Sequence, residues 1–138
     1  MISAVLDTNV LASALLRRGS PPDLVLRAAI LGRFRLITSE HILDELSRTL
    51  AQPYFRARLS PAQLTENLRY LRLLSETVEP IVVVRGVAHH PEDDAVLAAA
   101  VSASAGYLVT GDRAFLRVRR YQGTELITPD AFLALLPL

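Results

Sequence analysis

Four acidic residues, far apart in the chain, are placed where parallel strands could deliver them to one spot: Asp7, Glu45, Asp94 and Asp112. Asp7 directly follows run 2–6, apolar apart from Ser3, and Asp112 follows 107–110 in Thr110-Gly111-Asp112. Asp94 falls in the first turn of a helix after run 81–84, where the helix dipole favours a carboxylate. Glu45 lies further along a helix after run 34–38. At about 100° per residue it borders the stripe of Ile42, Leu43, Leu46 and Leu50, with Asp44 further out. Each acid alone has a plainer reading: a dipole or capping residue for Asp94, a solvated helix residue for Glu45, an Asx turn for Asp7 and Asp112. Together, four ionised carboxylates repel, at roughly 1–4 kcal/mol per close pair. A hard cation removes that cost. Oxygen ligands without Cys suit Mg²⁺ or Mn²⁺, which keep waters and bridge to phosphate oxygens.

The elements that must position these acids read as alternating strands and helices. Strands are expected at 2–6, 34–38, 81–84, 107–110 and 125–127. Helices are expected at 10–16, 23–31, from a Ser39 cap to about 50, at 61–74, at 92–104, in a short basic segment after Asp112, and from Pro129 onward. Pro21 and Pro22 can open the second helix at little cost. Leu64, Leu68, Leu71 and Leu74 share a face at helical period. Short β-branched runs between helices indicate a parallel sheet with right-handed crossovers. In such sheets sites assemble outside the carboxyl ends of the strands.

The length of 138 residues suits a single domain, and an apolar fraction of 51% argues against disorder. No run reaches the roughly 20 apolar residues of a membrane helix, and no secretory signal opens the chain, so cytoplasm is the expected location. Cysteine is absent, which excludes disulfides and thiolate metal sites. The formal net charge of +1 does not advertise nucleic acid. All basic residues are Arg, a bias that phosphate binding and a GC-rich genome would both produce.

The segments 6–10 (Leu-Asp-Thr-Asn-Val), 39–46 (Ser-Glu-His-Ile-Leu-Asp-Glu-Leu), 91–97 (Pro-Glu-Asp-Asp-Ala-Val-Leu) and 109–112 (Val-Thr-Gly-Asp) resemble the PIN domain. In particular they resemble the VapC-like PIN toxins of bacterial toxin–antitoxin pairs. The similarity runs along nearly the whole chain in the family's order. It implies a three-layer α/β/α, Rossmann-like sandwich with a five-stranded parallel sheet, and a metal-dependent endoribonuclease. It further implies metal binding by Asp7, Glu45 and Asp94, Asp112 as a peripheral fourth acid, and Asn9 and Thr110 in support. Relatives often read Asp-Pro-x-Asp-Asp where this chain has His90-Pro91-Glu92-Asp93-Asp94. A cognate antitoxin and a homodimer are also implied.

Arg113, Arg117 and Arg120 follow Asp112 at i, i+4, i+7, so a basic helical stripe could hold an RNA backbone; a solvated helix face explains the same spacing. His89 and His90 point to opposite sides if extended, and His90 reads as a cap before Pro91. The expected function is therefore Mg²⁺- or Mn²⁺-dependent hydrolysis of RNA by the toxin of a toxin–antitoxin pair. The alternatives are a housekeeping RNA-processing nuclease and a catalytically silent PIN-like binding module. No organic cofactor is implied.

Overall fold

The structure, a computed structural model, describes residues 1–137. Strand β1 (Ser3–Leu6) is buried along almost its full length and leads through Asp7 into α1 (Thr8–Leu16). Ser20 caps α2 (Pro21–Ile30), with both prolines in the first turn where no N–H is needed. After β2 (Arg35–Thr38), Ser39 caps α3 (Glu40–Leu50) by accepting from Ile42 N. A one-turn helix, α4 (Pro53–Arg56), precedes α5 (Pro61–Leu74), which opens with a reciprocal Ser60–Gln63 capping box. Then come β3 (Glu76–Thr77), α6 (Pro91–Ser102), β4 (Tyr107–Val109), α7 (Arg113–Leu116), β5 (Arg120–Tyr121), β6 (Thr124–Ile127) and α8 (Pro129–Leu135).

The sheet order is β3-β2-β1-β4-β6-β5. Five strands run parallel, as expected, and β5 adds a short antiparallel edge against β6. The chain winds outward from β1 through β2 to β3, then returns to the other side of β1 with β4. The direction of winding thus reverses between β1 and β4, where Leu6 stands beside Val109. This is the crevice that ligands use in open α/β sheets. Behind it, α6 is apolar nearly all round, and Val96, Leu97, Ala98, Ala99 and Ala100 are all buried. Its small side chains let the helix lie close to β1 and β4.

Two expected elements differ. The third parallel strand is Glu76–Thr77, not 81–84. Arg35 on β2 grips Glu76 with two hydrogen bonds of 2.7 Å, and Val78 N donates to Thr38 O at 2.9 Å. Pro80 has no N–H to extend the ladder. Segment 81–84 instead lies on α6, with Ile81 N and Val82 N donating to Ser102 Oγ at 3.0 and 3.1 Å. Its alternation is real, since Val84 is buried while Ile81 and Val83 are 84% and 73% exposed. A period of two marks an extended chain, but not its pairing. The second correction concerns the basic segment. Helix α7 ends at Leu116, Arg119 is in the left-handed region at φ 63, and Arg120 belongs to β5. The i, i+4, i+7 stripe therefore does not form; only Arg113 and Arg117 remain one turn apart.

Candidate metal centre

Asp7 stands at the end of β1, where its backbone N–H donates to Val109 O of the adjacent β4 at 2.9 Å. Its side chain is buried and held from two sides. Oδ1 accepts from Thr8 N at 2.8 Å, which caps α1, and Oδ2 accepts from the buried Thr110 hydroxyl at 2.8 Å. Thr110 Oγ1 also receives Asp112 N at 3.1 Å, so one hydroxyl ties together the turns that carry both acids. Asn9 adds a longer link, its Oδ1 accepting from Gly111 N at 3.5 Å. Asn9 and Thr110 thus join the two turns.

Glu45 is half-buried on α3 while Asp44 is exposed, as the helical wheel requires. The Thr8 hydroxyl donates to Glu45 Oε1, which fixes α3 to the start of α1. Asp112 caps α7 through Oδ1, which accepts from Ala114 N at 2.8 Å and Phe115 N at 3.4 Å; Oδ2 has no such duty. Asp112 also borders a shallow cleft with Asn9, Ser13 and Gly111.

Asp94 is placed differently. It is buried, and its two oxygens accept three backbone N–H groups, from Gly86 at 3.0 Å, Val87 at 3.2 Å and Ala88 at 2.7 Å. It clasps the loop before α6. Its neighbour Asp93 is half-buried, feels the charges of Asp112 and Glu45, and adds its own to Asp7. The structure therefore ties the turns of Asp7 and Asp112 together through Thr110 and sets Glu45 beside them through Thr8, and the charge of Asp93, a residue that sequence reasoning passed over, reaches Asp7. Among the described residues no three of these four acids bring ligand atoms within 4.8 Å of one another. The signal was present in Glu92-Asp93-Asp94, but two adjacent acids in a first helical turn point about 100° apart, and nothing in the sequence says which of them is taken by the loop before the helix.

The charges act on one another. Burial, above all, pushes Asp7 up to about 6, with Asp93 and Glu45 adding to it against the hydrogen bonds from Thr110 and Thr8. Asp93 is raised as well, first by burial, then by Asp112, Glu45 and Asp94, with His90 opposing. No arginine pairs with any of these four acids among the described residues. An acid raised chiefly by burial, with further carboxylates adding to the shift and no arginine to offset them, fits a hard divalent cation.

The fold is that of an α/β protein with Asp7 and Asp112 held together at its switch point. The PIN domain profile matches residues 3–114, and the chain belongs to the PIN domain family, whose members are generally nucleases. No curated protein matches the chain. Among solved structures the fold is similar to VapBC2 from Rickettsia felis, bound to a DNA fragment from its promoter. The TM-score is 0.66 at 17% identity, over 92% of this chain and 98% of that one. It is equally similar to PAE2754 from Pyrobaculum aerophilum, with a TM-score of 0.66 at 18% identity over 96% of this chain and 88% of that one. No helix among the described residues is long and apolar enough to cross a membrane.

Proposed function

We propose that this chain is a divalent-metal-dependent endoribonuclease, with Asp7, Glu45, Asp93 and Asp112 holding Mg²⁺ or Mn²⁺. The observation that carries the reading is the buried Asp7, raised to about 6 with neighbouring carboxylates contributing, at the β1–β4 crevice of a PIN fold. Asp94, expected among the ligands, serves here as a positioning residue that fixes loop 86–88 and the start of α6. The chemistry supplied by a divalent ion at such a site is activation of water and neutralisation of charge on the phosphodiester. The protein's own part is to hold its acids ready. Thr110 and Thr8 orient both oxygens of Asp7, Thr8 orients Glu45, and Asp112 keeps one oxygen free while capping α7. Exposed Arg113 and Arg117, just beyond Asp112, are suited to an RNA backbone.

The fold shared with VapBC2 supports the toxin of a toxin–antitoxin pair, with a cognate antitoxin, a homodimer and a cytoplasmic setting as parts of the same proposal. Single-stranded and structured RNA incubated with Mg²⁺, Mn²⁺ or EDTA tests the activity. Cleavage with either ion, its loss in EDTA, and its loss in Asp7→Asn and Asp93→Asn are expected. Full cleavage by Asp7→Asn would refute the assignment.

A further inference from the structure

Beside the carboxylate cluster lies a group of different chemistry. His41 and Glu45 stand four residues apart on α3, so both project from one face, and Glu92 reaches toward them from the first turn of α6. One ligand atom from each, an imidazole nitrogen and two carboxylate oxygens, lies within 4.8 Å of the other two. His41 Nε2 is shielded from solvent and lies 2.8 Å from Glu92 Oε2, yet the pair is not aligned as a hydrogen bond, so the nitrogen has no hydrogen-bond partner. A buried ring nitrogen without such a bond is costly unless something else satisfies it. Glu45 accepts the Thr8 hydroxyl through Oε1, Glu40 on the same helix is taken by Arg72, and no arginine pairs with Glu45 or Glu92 among the described residues. Glu92 is exposed, which leaves a path for an ion to enter.

We propose that His41, Glu45 and Glu92 form a second cation site, for a first-row transition-metal ion, adjoining the acidic cluster through Glu45. The donor set decides the class of ion. Imidazole suits Zn²⁺ and its neighbours, whereas Mg²⁺ prefers oxygen ligands and gives up water reluctantly. The site goes beyond the nuclease reading and does not require it.

Zn²⁺ alone is the probe, followed by the ¹⁵N resonances of the three histidines, His41, His89 and His90, in the full chain. Zn²⁺ is expected to shift Nε2 of His41. His41→Gln and Glu92→Gln are each expected to weaken Zn²⁺ binding by roughly tenfold or more, the least that loss of a direct ligand should cost. Asp7→Asn keeps the His41 shift, so loss of cleavage and loss of this site are read separately. A shift confined to the adjacent His89 and His90, or unchanged Zn²⁺ affinity in the two Gln variants, would overturn the proposal.

Discussion

At the level of single residues, Asp7 couples charge to stability. Its carboxyl rises from 3.8 to about 6 on folding. Below both values it is neutral in the native and unfolded chains alike, and above both it is ionised in each. Between them the native state keeps a proton that the unfolded state has lost, so rising pH costs stability across roughly pH 4–6 and no more above it. At neutral pH the ionised side chain thus destabilises the metal-free protein, by about 3 kcal/mol at most. Asp7→Asn is expected to stabilise the metal-free chain at pH 7.5 by about 1–3 kcal/mol and to flatten the pH dependence, both measurable in denaturant melts. Asp94→Asn has the opposite sign. Its carboxylate accepts three N–H groups, and weakening charge-assisted bonds of that kind costs about 1.5–3 kcal/mol. Asp93→Asn should leave metal-free stability unchanged or higher while cleavage is lost. Melts and cleavage assays on the two variants side by side check this pair of outcomes. If Asp93→Asn kept full activity and Asp94→Asn lost it without loss of stability, the roles of the two acids would be reversed. Of the acids in the proposed site, Asp7, Glu45 and Asp112 could be singled out from sequence because a strand end or a helical wheel aims them. Asp93 could not, because the choice between neighbours is made by the N–H groups of loop 86–88, a tertiary contact with no local pattern.

At the level of elements, the helices were the more legible part, because their caps and periods are local. Ser20, Ser39 and Ser60 each cap the helix that follows, and the Leu64–Leu74 face packs inward with Leu71 fully buried. The strands depended on partners. Residues 81–84 have the alternation of a strand but lie against α6, while the polar pair Glu76–Thr77 forms β3 because Arg35 and Thr38 hold it to β2. The basic segment after Asp112 failed for the same kind of reason: β6 draws Arg120 into an antiparallel pair. Arg113 and Arg117 are therefore expected to carry the phosphate contacts. Replacing both with Ala should lower the salt slope of single-stranded RNA affinity by about 1.4, at roughly 0.7 per contact, and Arg120→Ala should leave it unchanged. An unaltered slope in the double variant would remove this surface from RNA binding. Helix α6 gives a packing prediction. Ala99 is fully buried on a helix set close to the sheet, so Ala99→Leu should cost about 1–3 kcal/mol in a denaturant melt.

For the whole molecule, the winding of the sheet reverses between β1 and β4 and so delivers Asp7 and Asp112 to one crevice, while α3 and α6 bring Glu45 and Asp93 to its side. The core assembles charges that destabilise the metal-free protein, and on the proposed function a bound cation offsets them. Ligand binding to the native state adds about 2.7 kcal/mol when the ion is at 100 times its dissociation constant. The most direct test is thermal melting of wild type and Asp7→Asn at pH 7.5, in EDTA and in saturating Mg²⁺. The expected result is a crossing: Asp7→Asn melts higher than wild type in EDTA, and only wild type gains substantially from Mg²⁺. Equal gains in both proteins, or a variant less stable than wild type in EDTA, would contradict a cation held by the Asp7 cluster.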